Sequence, residues 1–140
     1  MLNKALFLDR DGVVNVDYGY VYQKENFHFI NGIFRLIRIA CAHNYKIVII
    51  TNQAGIGRGL YSEEDFYVLT KWMCARFELE GAPIHKVYHC PSHPTHGIGN
   101  YKKSDPRRKP NPGMLLDASY DLNIDLKSSI LIGDKMTDIQ

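Results

Sequence analysis

The sequence has 140 residues, of which 45% are hydrophobic and 23% charged, and its net charge is +2. That balance belongs to an ordinary globular chain, long enough for one domain with a core of its own. A charge so close to neutral argues against nucleic acid or a membrane surface as the main partner. No stretch approaches the roughly 20 consecutive apolar residues that span a bilayer.

The first element is Ala5-Leu6-Phe7-Leu8, which stops at Asp9-Arg10-Asp11-Gly12. Short apolar runs bounded by turn signals read as buried strands. In an α/β sheet such a strand delivers its last residues to the rim where ligands bind. Two carboxylates two residues apart repel unless a cation shares their site. A hard divalent ion such as Mg²⁺ fits oxygen donors; the plainer reading is a strand-end turn with solvated acids. Asp9 also breaks the apolar run before it reaches the length of a signal sequence. The chain has three cysteines without framework spacing, which points to a reducing, cytoplasmic setting.

Val13 to Ile30 carries Tyr18-Gly19-Tyr20-Val21-Tyr22 and reads either as a flap beside the site or as a surface hairpin with aromatic pairs. Asn31 is a candidate cap for a helix whose apolar face is Ile33, Leu36, Ile37, Ala40 and Cys41, with Asn44 as its stop. Lys46–Ile50 gives a second buried strand ending on Thr51 and Asn52. A strand, a long crossover and a strand imply a right-handed parallel unit. Gln53 to Gly59 holds Gly55, Gly57 and Gly59 around Arg58. It lacks the Gly-Lys-Ser/Thr of a Walker loop and reads as a flexible, anion-friendly loop.

Ser62 with Asp65 marks the start of a helix running to about Glu80, with Phe66, Leu69, Trp72, Met73, Arg76 and Phe77 within it, ended by Gly81 and Pro83. Lys86–Cys90 is a third strand. Cys90, His93 and His96 follow as a three-donor set, whereas a structural zinc site uses four. Lys102, Lys103, Arg107, Arg108 and Lys109 form a basic run around Asp105. Asn111 as cap and Pro112 at the first helical position open a helix with Met114, Leu115, Ala118 and Leu122. Ser128–Ile132 is the fourth strand, followed by Gly133-Asp134 and Asp138.

The polar groups converge. Apolar strands end in Asp9/Asp11, Thr51/Asn52 and Asp134, and a parallel sheet brings those ends to one edge. Three carboxylates, a hydroxyl, an amide and the Lys109 ammonium suit phosphoryl transfer, which needs charge screening, donors for the equatorial oxygens and a positioned nucleophile. An aspartate can be that nucleophile, and a second carboxylate can exchange protons.

Asp9-Arg10-Asp11-Gly12, Thr51-Asn52, Lys109 and Gly133-Asp134 with Asp138 resemble, in order, the four motifs of the haloacid dehalogenase superfamily of phosphatases. NVDYGYV, ITNQAGIGRG, YHCPSHP, RKPNPGMLLDA and IGDKMTDIQ narrow the resemblance to its heptose bisphosphate phosphatase branch, close to the histidinol phosphatases. The resemblance implies an α/β fold: a Rossmann-like three-layer sandwich with a central parallel sheet and a minimal cap. It implies a single domain over residues 1–140 that lacks the usual C-terminal strand and helix and leaves a sheet edge uncovered. It implies a Mg²⁺-dependent phosphoric monoester hydrolase that removes the C7 phosphate of D-glycero-D-manno-heptose 1,7-bisphosphate through an aspartyl-phosphate. Histidinol phosphate or another small phosphate, or binding without catalysis, are the alternative readings. The expected setting is a cytoplasmic monomer acting on a small sugar bisphosphate, with neither nucleic acid nor membrane as partner.

By the same resemblance Asp9 is nucleophile and metal ligand, Asp11 is acid/base with its carbonyl on the metal, and Asp134 is the further Mg²⁺ ligand. Thr51 and Lys109 hold the transferring phosphoryl group. Asp17, Tyr18, Gly19, Tyr20, Asn52, Gln53, Ala54 and Arg108 line the substrate site, with Arg108 reading the second phosphate. Many members hold the loop after the third strand with zinc, through Cys-x-His and Cys-x-Cys. Here Cys90 stays, while Ser92, Asp105 and Arg107 occupy the other three positions. Zinc is therefore not expected, and prolines and hydrogen bonds are expected to hold the Arg108 loop.

Overall fold

The computed structural model describes residues 2–133. The elements follow in the order β1 (Lys4–Leu8), α1 (Ile33–Ala42), β2 (Tyr45–Asn52), α2 (Ala54–Gly57), α3 (Glu63–Leu79), β3 (Lys86–Cys90), α4 (Gly113–Leu122) and β4 (Ile130–Ile132). The four strands form one parallel sheet in the order β3-β2-β1-β4. β1 is central: Leu6 stands opposite Ile47 on one side and Ile130 on the other.

The unbroken apolar runs of β1 and β2 have a direct cause. Successive strand side chains point to opposite faces, and here both faces are covered. Leu6, Leu8, Ile47 and Ile49 pack with Ile33 and Ile37 of α1 and with Leu69, Met73 and Phe77 of α3. Ala5, Phe7, Val48 and Ile50 pack with Met114 and Ala118 of α4. The result is the three-layer α/β sandwich with a central parallel sheet that the resemblance implies. Truncating a side chain as enclosed as Met73 to alanine costs about 2–5 kcal/mol.

Element edges depart from the sequence reading in instructive places. α1 is capped by Gly32 at φ 89°, not by Asn31. A tight turn from Ile30 to Ile33 needs that left-handed residue, and glycine takes it without steric cost. Leu36 lies at the rim of the α1 stripe and is exposed, whereas Ile33, Ile37 and Ala40 are buried. α3 starts as expected, with a complete Ser62–Asp65 capping box. α4 starts at Gly113, with Pro112 at its cap, because the Asn111 amide donates to the Asp105 carbonyl instead of capping the helix. A 3₁₀ turn over Leu126–Ser128 takes the place of the start of the fourth strand.

Val13 to Ile30 is not a regular hairpin. Asn15 makes isolated bridges to Asp11 and Phe29, while Val14, Val21 and Phe27 anchor the segment in the core. Gln53 to Gly59 is not a loose loop either, since it contains α2. A Cβ at Gly57 would collide with the Pro91 carbonyl, and one at Gly55 with the Tyr61 ring, so glycine lets this turn pack tightly.

Candidate active site

The C-terminal ends of β1 and β2 carry Asp9 and Thr51, both buried. Asp9 Oδ1 accepts from the Arg10 backbone N–H at 2.9 Å and pairs with Lys109 Nζ at 3.1 Å. Lys109 Nζ also donates to the Ile50 carbonyl at 3.4 Å. Its main chain is held by Asn52: Lys109 N–H donates to Asn52 Oδ1 at 3.0 Å, and Asn52 Nδ2 donates to the Lys109 carbonyl at 3.3 Å. One asparagine at the end of β2 thus fixes the lysine that faces the end of β1. Ion pairs this enclosed are strongly destabilised when one partner is removed.

A second network sets the remaining groups. Gln53 Nε2 donates to Thr51 Oγ1 at 2.8 Å and to Asp11 Oδ2 at 3.2 Å. Gln53 Oε1 accepts from the buried Tyr61 hydroxyl; burial raises the pKa of that hydroxyl, keeping it a donor. Arg10 is enclosed, with its guanidinium over the Phe27 and Phe66 rings. It donates through Nε and Nη2 to Asp11 Oδ1, at 3.2 and 3.0 Å, and from Nη2 to the Val21 carbonyl at 2.7 Å. Asn15 Nδ2 adds a 3.0 Å bond to Asp11 Oδ1. The Asp11 carboxylate is therefore aimed by three side chains.

A cavity of about 390 Å³ opens over this floor. Its lining includes Asp11, Asp17, Gly19, Tyr20, Asn52, Gln53, Ala54, Arg108 and Lys109, all expected at the site. Asp9 and Thr51 are not among the lining residues; each contacts one that is, Asp9 pairing with Lys109 and Thr51 accepting from Gln53. Tyr18 is not among the lining residues; it is exposed and its hydroxyl meets His28 Nδ1 at 2.8 Å. Asp134 and Asp138 lie outside the described residues.

The donor set of Asp9 and Asp11 is all oxygen, with neither thiolate nor imidazole, which fits a hard ion such as Mg²⁺ rather than zinc. Buried carboxylate, lysine, hydroxyl and amide at one sheet edge is an arrangement for handling a phosphoryl group.

Comparison with known proteins gives the same direction. A family model described as polynucleotide kinase 3 phosphatase matches residues 7–138. The D-glycero-alpha-D-manno-heptose-1,7-bisphosphate 7-phosphatase of Burkholderia mallei is 58% identical over 140 residues, covering 100% of this chain and 74% of its own. The chain belongs to the heptose bisphosphate phosphatases of the haloacid dehalogenase-like family. By kind it is a phosphoric monoester hydrolase. Two solved structures share its fold. A haloacid dehalogenase-like phosphatase of Mesorhizobium loti superimposes with a TM-score of 0.92 at 35% identity, over 98% of this chain and 66% of its own. The D,D-heptose 1,7-bisphosphate phosphatase of B. bronchiseptica, complexed with magnesium and phosphate, gives 0.85 at 29% identity, over 98% and 73%. The chain thus spans about two thirds to three quarters of these relatives.

Measured against the zinc-bearing pattern of this family, positions 90, 105 and 107 come together as a hydrogen-bonded ion pair. Asp105 is buried and accepts from the Arg107 backbone N–H at 2.9 Å, from Arg107 Nε at 3.2 Å and from Nη2 at 2.8 Å. These contacts, the Arg107 side chain foremost, hold the Asp105 carboxyl well below the usual carboxylate range. The Asp105 carbonyl accepts from Arg108 N–H at 3.0 Å and from Asn111 Nδ2 at 3.2 Å. The loop that presents Arg108 and Lys109 is tied down by these contacts. Among the described residues no group of three His, Cys, Asp or Glu side chains is arranged to hold a metal ion.

The sequence reading missed several contributors. Arg10 stands between two aspartates with nothing in the sequence to mark it as buried. Tyr61 gave no signal beyond its place before a capping box. Arg58 and His93 also line the cavity; in the sequence Arg58 reads only as part of a glycine loop, and His93 only as one of a three-donor set too small for a structural zinc site.

Proposed function

We propose that this chain is a Mg²⁺-dependent phosphatase that removes the C7 phosphate of D-glycero-D-manno-heptose 1,7-bisphosphate, in the α-anomeric form named for the 58% identical relative. The observation that carries the reading is the buried Asp9–Lys109 pair beside Thr51 and Asp11. Asp9 supplies the attacking oxygen. The new O–P bond forms as the bond from phosphorus to O7 breaks, and Asp11 gives its proton to O7. Water then attacks the aspartyl-phosphate, Asp11 takes the proton from it, and inorganic phosphate leaves. Lys109 Nζ and the Thr51 hydroxyl donate to the transferring oxygens. Mg²⁺ would be held by the Asp9 carboxylate, the Asp11 backbone carbonyl and Asp134, and would screen the charge of the phosphoryl group.

We propose further that it acts as a cytoplasmic monomer, a setting supported by its three free cysteines; sedimentation as a dimer would refute the monomer. The deciding assay is phosphate release from the heptose bisphosphate, both anomers, with and without Mg²⁺. Histidinol phosphate and fructose 1,6-bisphosphate run alongside, with Asp9→Asn as the blank. Selective Mg²⁺-dependent release from the heptose supports the reading. Faster release from histidinol phosphate replaces the substrate, and no release from a folded sample replaces catalysis with binding.

A further inference from the structure

We propose that Arg58 and His93 join Arg108 in a three-donor seat for the phosphate that is not hydrolysed. The inference rests on the bisphosphate reading above and extends it to two residues with no assigned role.

The basic residues that line the cavity differ in burial. Lys109 is buried against Asp9. Arg58 is exposed, while Arg108 and His93 are half-buried, and all three line the same cavity as Lys109. Each comes from a different segment: Arg58 from the residue after α2, His93 from the loop after β3, Arg108 from the loop before α4. Among the described residues neither arginine is ion-paired with a carboxylate. Arg108 Nη1 donates to the Ser92 carbonyl at 3.2 Å, which sets its guanidinium beside His93. Arg58 Nη1 donates to the Tyr20 hydroxyl, with its guanidinium 5.6 Å from the Tyr20 ring. Tyr20 holds φ 53°, a left-handed backbone, so the flap is bent where it meets Arg58.

The chemistry of His93 is fixed by its neighbours. Its Nδ1 accepts the Thr95 and His96 backbone N–H groups, at 3.1 and 3.0 Å. The neutral ring therefore carries its proton on Nε2, as a donor. Burial, followed by the nearby charges of Arg108, His96 and Arg58, lowers its pKa and favours this neutral form. Two guanidiniums and one imidazole N–H lining one cavity are donors that suit an anion. Asp11 and Asp17 are the carboxylates that line the cavity; Asp11 is engaged by Arg10, Asn15 and Gln53, and Asp17 Oδ1 accepts the Gly19 N–H at 2.9 Å.

The test compares D-glycero-D-manno-heptose 1,7-bisphosphate with the 7-monophosphate for wild type, Arg58→Ala, His93→Ala and His93→Gln. Loss of one charge-assisted donor is expected to lower kcat/KM for the bisphosphate by about tenfold or more, and for the monophosphate by much less. His93→Gln, which keeps an N–H donor, should recover part of the His93→Ala loss. Equal losses on both substrates, or none on either, would overturn the proposal. Calorimetric titration of heptose 1-phosphate separates it from the catalytic reading. Binding weakened about tenfold in Arg58→Ala supports the seat even in a chain that hydrolyses nothing, and unchanged binding refutes it even in an active enzyme.

Discussion

Asp105→Asn tests whether an ion pair holds the loop that carries Arg108 and Lys109. The asparagine keeps the shape of the side chain, so no cavity enters the result. It removes the charge and points an NH₂ at one of the Arg107 donors now bonded at 2.8–3.2 Å. A hydrogen bond to a charged group contributes about 1.5–3 kcal/mol. The Arg107 side chain is 40% exposed, so solvent screens its half of the pair and the lower part of that range applies, about 1.5–2 kcal/mol. In a domain of this size that lowers Tm by roughly 5–8 °C. The pH dependence has a definite sign. Asp105 has a depressed folded-state pKa, so its contribution is whole above the unfolded value near 3.9 and fades as pH falls below it toward the folded one. Wild type and Asp105→Asn should therefore differ most at neutral pH, and the gap should narrow steadily as pH falls below about 4. Calorimetry over pH 2–8 reads this directly. A Tm within a degree of wild type at pH 7, or no coupling in a double-mutant cycle with Arg107→Ala, would refute the reasoning.

Other perturbations probe the rest of the site. Lys109→Met leaves Asp9 without its partner at 3.1 Å and should lower kcat by about two to three orders of magnitude in phosphate release. Asn52→Ala removes both bonds to the Lys109 main chain. We expect a loss of about 1–3 kcal/mol in thermal unfolding and a lower kcat, and wild-type values for both would discount the clamp. Gly57→Ala drives a Cβ into the Pro91 carbonyl and should cost about 1–3 kcal/mol, read as a lower urea midpoint. Chelation by EDTA should stop phosphate release and added Mg²⁺ should restore it; activity that survives chelation would reject the metal role.

The sandwich was legible because period, length and punctuation agree. Ala5–Leu8 and Ile47–Ile50 are too short and too apolar for anything but two-sided burial, and the Ser62/Asp65 box marks α3 by itself. The ends of β1 and β2 revealed the candidate reactive groups for the same reason: a polar residue following such a run emerges at the sheet edge. What stayed hidden depends on distance in three dimensions. Asn31 and Asn111 are both good caps by type, but a glycine turn and the Asp105 carbonyl claimed those positions. Arg10 reads as solvated until Phe27 and Phe66 are seen to enclose it. His93 reads as one of three candidate donors, and its role becomes visible only when the Thr95 and His96 N–H groups are seen to occupy its Nδ1.

The Asn52 clamp has an evolutionary corollary. Because it grips Lys109 through main-chain atoms, it does not depend on the side chains next to Lys109. Position 108 can be exchanged without moving the reactive lysine, and positions 58 and 93 lie on segments of their own. Under the roles proposed above, hydrolysis and substrate choice are written in separable parts of the chain. A lineage could redesign what this cavity accepts, one rim residue at a time, while the reaction beneath it ran unaltered.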